Sequence, residues 1–323
     1  MKQELSVVTI GGGSGQSTLL AALRRLPYVR PAAIVTTFDS GGSSRVLKDQ
    51  YGVLPYGDIQ RCVFALSPYE HVRDIFSARL DMPELAPPYH TGGNLLLSAL
   101  EQDFSRHMDT AQARRLAVRA LERMFAAQGR VIPASLENAN LCATFAGDFA
   151  GDEPRVDELL QRGRSIRDIF LRPEVPANPD ALAAVSAADV IIVAPGSFYT
   201  SILPPLLPAG MPGAIAASAA PVLWVMNLLT EGEEMAVYRG LDFVRTLSRY
   251  AGRAPRHLLV NSEVHELPAR YLGAECKRVL RPELFGRTDA YHVFKYPLWT
   301  DPATPRHDTD ALASALGLIL PAL

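Results

Sequence analysis

The chain has 323 residues, 48% hydrophobic and 20% charged, with a formal net charge of −2. That is the make-up of an ordinary soluble globular protein with material for one large or two modest domains. So small a charge gives no global pull towards nucleic acid or anionic lipid, and neither is expected as a partner. The three cysteines, Cys62, Cys142 and Cys276, form no C-x-x-C pair. They argue against a zinc module or a disulfide scaffold and fit a reducing compartment as small buried hydrophobes. No basic-plus-apolar leader opens the chain and no uncharged apolar run spans a bilayer, so a cytoplasmic location without membrane insertion is expected.

Residues 5–10 (Leu-Ser-Val-Val-Thr-Ile) are an apolar, β-branched run, as a strand buried on both faces requires. Leu19, Leu20 and Leu23 then recur at helical spacing, with Ser17 or Thr18 as the capping hydroxyl. Between strand and helix, Gly11, Gly12, Gly13 and Gly15 surround Ser14 and clear the Cβ atoms that would block close approach to the backbone. A strand that runs through a glycine turn into a helix N-terminus gathers unpaired amides and the positive end of the helix dipole, which suits phosphate. It is not a Walker A loop, because no Gly-Lys-Ser/Thr follows. Gly13 and Gly15 fit the G-x-G of a dinucleotide fingerprint, but Thr18 stands where its last Gly or Ala belongs. A tight βα turn without a ligand is the plainer alternative, and it needs fewer glycines than these.

A second strand, Ala32 to Phe38, ends in Asp39-Ser40-Gly41-Gly42-Ser43-Ser44. An acidic residue closing the second strand of a βαβ unit is where a ribose hydroxyl is held, and the glycines and hydroxyls after it suit a second cradle. An Asx-turn leading to a helix capped by Ser44 explains the same residues without a ligand. Gly57-Asp58-Ile59-Gln60-Arg61 opens the helical stripe Cys62 to Leu66, where Asp58 is either an N-cap or a site carboxylate. Tyr89-His90-Thr91-Gly92-Gly93-Asn94 leads into a helix over Leu95 to Leu100. Asn94 there suits a base edge or a phosphate, and His90 is either an acid–base group or a satisfied structural residue.

Thr110 to Gln128 reads as a solvated, Arg-rich helix. Residues 131–135, 141–145 and 166–171 read as short strands, predicting a β-rich insertion at about 130–172. Helix 179–187 and strand 189–194 resume the α/β rhythm and run into Pro195-Gly196-Ser197-Phe198-Tyr199-Thr200-Ser201. A buried strand, a glycine turn and clustered hydroxyls repeat the chemistry of the first loop. Strand 221–226 ends in Asn227-Leu228-Leu229-Thr230, and strand 257–261 follows a helix centred near Val244. The alternation predicts one α/β domain over 1–323, with a doubly wound, mostly parallel, Rossmann-like sheet and ligands at the carboxyl ends of its strands.

Taken together these residues resemble the YvcK (gluconeogenesis factor) family within the 2-phospho-L-lactate transferase (CofD)-like superfamily. The resemblance rests on Gly11 to Gly15, Asp39 to Ser44, Gly57 to Arg61, His90 with Gly93-Asn94, Pro195 to Ser201 and Asn227 to Thr230. It continues through Tyr271-Leu272-Gly273-Ala274 and Arg306-His307-Asp308, so it covers nearly the whole chain. Departures fall in the same motifs: Asp39-Ser40 stands where the family has Asp-Asp or Asp-Asn, Gln60-Arg61 for Arg-Asn, Tyr89-His90 for Gly-His. Thr230-Glu231-Gly232-Glu233-Glu234 lacks the family's proline.

The resemblance implies a nucleotide or nucleotide-sugar ligand held across the two glycine loops. In the YvcK branch this is a UDP-sugar, and the protein a regulator of cell-wall precursor and carbon metabolism. The amides of Gly11 to Gly15 and of Gly196 and Ser197 would then hold a diphosphate, with Asp39 and Asn94 on ribose or base. Ser40 to Ser44, Tyr199, Thr200, Ser201, Asn227, Thr230, Tyr271 and Arg306 complete the expected ligand set. In the CofD branch a phospholactyl group passes from a guanylylated donor to a deazaflavin with a divalent metal. There Asp39 or Asp58 would hold Mg²⁺ and His90 would be the base. A nicotinamide-dependent dehydrogenase and a ligand-free scaffold fit less well, and a homodimer is the statistical default.

Overall fold

Strand β1 (Leu5–Gly11) is buried along its last five residues and lies inside a seven-stranded sheet. The computed structural model describes residues 4–39, 41–69, 71–78, 90–230, 238–268, 278–286 and 288–323. On one side of β1 lie β2 (Val29–Val35) and β3 (Arg130–Pro133). On the other lie β7 (Val190–Val193), β8 (Val222–Val225), β9 (His257–Asn261) and β10 (His292–Tyr296), in that order. Every neighbouring pair is parallel. This is the architecture the strand-helix alternation predicts.

Alternating side chains of β1 face opposite layers, as the two-residue period of a strand dictates. Val7 packs under helix α1 (Gly13–Leu23) and the last helix, α11 (Thr309–Ile319), through Leu19, Leu23, Leu312 and Leu316. Ala33 and Val35 extend that face beneath α3 (Gly57–Leu66), α5 (Gly92–Phe104) and α6 (Thr110–Met124). Short helices α2 (Gly42–Tyr51) and α4 (Val72–Ser77) precede α3 and α5 respectively. Val8, Ile10 and Ile34 point the other way, onto α8 (Pro179–Ala187), α9 (Met211–Ala217) and α10 (Gly240–Ala251). The sheet is covered on both faces, which is what its continuously apolar strands demand.

Three expectations change. The run 131–135 becomes β3, which pairs with Ala32–Val35 in the main sheet and does not join the insertion. The small sheet is β4 (Asn140–Phe145), β5 (Asp148–Ala150) and β6 (Ile166–Arg172), antiparallel in the order β5-β4-β6, with α7 (Glu153–Gln161) between β5 and β6. A short apolar run reads alike in either sheet, and only the path of the preceding helix decides which edge it reaches. Helix α1 begins four residues before the expected cap, at Gly13. Ser17 and Thr18 instead donate back to the Ser14 carbonyl at 2.9 and 3.0 Å.

Helix α6 is solvated on one side only, because Arg114 is buried. Its Nε donates to Glu101 Oε1 at 2.7 Å, and its two remaining nitrogens donate to the Leu136 and Gly52 carbonyls at 2.7 and 2.6 Å. Among the described residues no helix is long and apolar enough to cross a membrane.

Candidate functional site

The chain leaves β1 outward to β2 and β3 and then crosses back to β7, so the connections after β1 and β7 diverge and open a crevice between them. Two of the sequence's bends line this point of reversal. A Cβ on Gly15 would sit 2.0 Å from the Pro195 carbonyl oxygen, so the first turn of α1 rests directly on the 195–197 turn. A Cβ on Gly12 would meet Thr36 Cγ2 at 2.5 Å and Asp58 Oδ2 at 2.7 Å. The glycines let three backbones converge where any side chain would hold them apart. Gly11 ends β1 and accepts from the Thr36 amide at 2.9 Å.

Which amides are free differs from the sequence expectation. Gly13, the first residue of α1, donates to Asp58 Oδ2 at 2.8 Å. The first intrahelical bond runs from Gln16 to the Gly12 carbonyl. Helix geometry therefore leaves the amides of Ser14 and Gly15 without an intrahelical partner, and both residues line the crevice. On the opposite wall the Gly196 peptide is clamped at both ends. Its N–H donates to Asn227 Oδ1 at 2.8 Å and its carbonyl accepts from Asn227 Nδ2 at 2.6 Å. Gly13 and Gly196 thus spend their amides inside the protein. Asp58 and Asn227 are brace residues for the two loops, and Asp58 is not the N-cap of α3, which is Tyr56.

The crevice encloses about 320 Å³. Arg306, one of the expected ligand residues, lines it together with Arg73 on α4 and His307. His307 is half-buried, and desolvation pulls its pKa down to about 4, so the ring is neutral. Arg73 carries no legible signal, since α4 has six residues and none is buried. His307 was visible only as part of a motif. Several expected residues turn inward. Tyr199 packs edge-on against Phe198 in the core, and Thr200 donates its hydroxyl to Ser197 Oγ at 2.7 Å. Ser197 caps the short helical turn 198–202, and Ser201 abuts Gly12, Gly13 and Gly196. Thr230 is tied to Arg278 through both its amide and its hydroxyl.

A second cluster lies on the β2 side of α1. Asp39 Oδ1 accepts from the Gly41 amide at 2.7 Å, and Gly42 starts α2 at a φ of +48°. The cap of α2 is Gly41, not Ser44. Ser43 Oγ lies 2.8 Å from His90 Nδ1 and accepts from Asn94 Nδ2 at 3.1 Å. Asn94 Oδ1 in turn accepts from Gln60 Nε2 at 2.8 Å, so this buried amide serves an internal network. Gly57 brings Ser44 and Asp39 together, a Cβ there lying 2.9 and 3.6 Å from their side-chain oxygens. Asp58 is buried, and desolvation raises its pKa against the opposing pull of Arg61, which donates to its Oδ1 at 2.9 Å.

Both oxygens of Asp58 are therefore partnered, and of the two expected metal carboxylates only Asp39 keeps an oxygen without a hydrogen bond among the described residues. A divalent cation here would be held chiefly by a ligand's own phosphates. Ser40, Tyr89, Tyr271 to Ala274, Glu231 to Glu234 and Cys276 lie outside the described residues. Cys62 and Cys142 are free and buried.

A gluconeogenesis factor from Listeria monocytogenes is 33% identical over 339 residues, covering 99% of this chain and 98% of its own length. A putative gluconeogenesis factor from Thermotoga maritima is 36% identical over 80% of this chain and 79% of its own. A solved structure from Bacillus halodurans, described as a member of the UPF0052 family, superposes with a TM-score of 0.83 at 27% identity, covering 97% of this chain and 99% of that one. Fold and crevice define a doubly wound α/β protein with a polar cleft at the reversal of its strand order. Residues 7–285 match the family model described as 2-phospho-L-lactate transferase CofD. The chain belongs to that CofD-like superfamily and, within it, to the gluconeogenesis factor (YvcK) family.

Proposed function

We propose that this protein binds a nucleotide-linked ligand of UDP-sugar type in the crevice between β1 and β7. On this reading it acts as a YvcK-type regulator of cell-wall precursor or carbon metabolism. One observation carries the reading: the amides of Ser14 and Gly15 at the positive end of α1, without a partner among the described residues, belong to residues that line a cleft with Arg73 and Arg306. Backbone N–H groups, a helix dipole and two guanidiniums are the elements that recognise a diphosphate. The enclosed volume lies at the small end of the range for ligand sites, about 300–1,000 Å³. On this reading Asp39, in the loop after β2, would take a ribose hydroxyl. Calorimetric titration with UDP-N-acetylglucosamine tests the proposal. Saturable heat is expected, and no heat with any nucleoside diphosphate at millimolar concentration overturns it. Native mass spectrometry of the purified protein should show a retained nucleotide.

The CofD match favours a second reading, transfer of a phospho-group to an acceptor hydroxyl. The contact of Ser43 Oγ with His90 Nδ1 is a hydroxyl–imidazole pair on the β2 side that such a reaction could use. Attack of the acceptor hydroxyl on a donor phosphorus would release a nucleoside monophosphate. Incubation with donor, acceptor and Mg²⁺, with detection of that product, separates transfer from binding alone.

A further inference from the structure

Among the described residues three ionisable side chains line the crevice: Arg73, Arg306 and His307. The two guanidiniums only donate hydrogen bonds. His307 differs in kind. Its Nε2 lies 3.1 Å from the main-chain oxygen of Met226, at the end of β8. A carbonyl only accepts, so the ring proton sits on Nε2 and Nδ1 keeps a bare lone pair. Nδ1 has no hydrogen bond among the described residues, nor does it count among the buried polar atoms that lack one. It therefore keeps some solvent exposure, in a residue that lines the cleft.

The ring is held firmly. The Arg306 amide donates to the Thr304 carbonyl at 2.7 Å and the Asp308 amide to the Leu298 carbonyl at 2.8 Å. Asp308 then caps α11 through the Ala311 amide at 2.8 Å. Burial keeps the imidazole neutral across the physiological range. The crevice therefore sets a rigid acceptor among groups that otherwise attract negative charge. A tie between the 300–308 loop and β8 needs only Nε2, and nothing in that role requires the other nitrogen to be left unbonded and exposed.

Resting on the nucleotide-linked reading above, we propose that His307 is a specificity-determining residue. Its Nδ1 accepts a hydrogen bond from a hydroxyl or N–H of the ligand beside the diphosphate, so that the site selects a nucleotide sugar over a bare polyphosphate.

Two variants separate the ring's two nitrogens. In His307→Gln the terminal amide reaches the place of Nε2 and can still donate to Met226, while the acceptor at Nδ1 is gone. In His307→Asn the shorter amide can present its oxygen near Nδ1, while the tie to Met226 is gone. Wild type and both variants are titrated with UDP-N-acetylglucosamine and with inorganic pyrophosphate, and the ratio of the two affinities is read. His307→Gln should lower that ratio by about 5- to 100-fold, the effect of one unmade hydrogen bond, and His307→Asn should largely retain it. A wild-type ratio in His307→Gln, or equal losses for both ligands in both variants, would overturn the assignment. Absence of nucleotide binding by the wild type is a different result, which removes the nucleotide-linked reading and this proposal with it.

Discussion

Asp58 accepts the amide hydrogen of Gly13, 45 positions earlier in the chain, at 2.8 Å. The carboxylate occupies the first amide of α1, where an anionic ligand would otherwise bind, and Arg61 balances its charge from the other side. The positive end of the helix is thus closed towards β2 and open towards β7. On the proposed function, the protein's own anion would steer a foreign one to Ser14 and Gly15.

Removing that charge should favour anions in the crevice. Asp58→Asn keeps an acceptor for Gly13 and is expected to tighten inorganic pyrophosphate by a few-fold, in line with about 0.3–1 kcal/mol for a charge at a helix terminus. Calorimetric titration at low salt measures it. The same substitution has a pH signature. Burial raises the folded pKa of Asp58 above the unfolded value near ~3.9, so its protonated form favours the folded state. That contribution is complete below the unfolded pKa and is lost as pH rises through the folded one. The melting temperature of Asp58→Asn relative to wild type should therefore climb as pH increases from about 4.

Gly15 is where the two loops touch. Gly15→Ala places a methyl 2.0 Å from the Pro195 oxygen, and the backbones must part to admit it. Urea unfolding should show a loss of about 2–4 kcal/mol, and pyrophosphate binding should weaken with it. Gly213→Ala in α9, where a Cβ meets nothing within 4 Å, should gain about 0.5–1 kcal/mol from helix propensity and serves as the control.

The buried pair Arg114–Glu101 anchors α6 to α5, and Tyr56 and Leu54 complete the carboxylate's partners at 2.6 and 3.1 Å. Arg114→Met strands the Glu101 charge and should cost about 3–5 kcal/mol by urea unfolding. Arg114→Met combined with Glu101→Gln should cost less than the sum of the single substitutions, because no buried charge is left over.

His307 links acid to unfolding. The unfolded ring takes its proton near ~6.5, whereas the folded ring resists until about 4, so stability is lost as pH falls between those values. The loss is about 2–3 kcal/mol after allowance for partial exposure. In His307→Gln that slope should be absent from a series of urea midpoints taken at decreasing pH.

Much of this was legible in residue order. The β-branched runs at 5–10, 190–194 and 257–261 become β1, β7 and β9, and the glycines after the first two mark the turns at the strand ends. Partnering was not legible. Asp58 reads as either a helix cap or a site carboxylate, and Asn227 enters the ligand set only through the family resemblance. Both are spent on loop backbones brought to them by the sheet. Arg73 gives no periodic signal, and residues 131–135 read alike for either sheet.

By itself the amino-acid order determined the strand-and-helix alternation, the doubly wound class and the location of two glycine-rich bends, because periodicity and backbone freedom are local properties. Only the tertiary structure decided that those bends touch, that Gly13 and Gly196 are already partnered, and that Ser14, Gly15, Arg73, Arg306 and His307 share one cleft. Hydrogen-bond saturation depends on what long-range packing delivers to each group, and no local pattern encodes it.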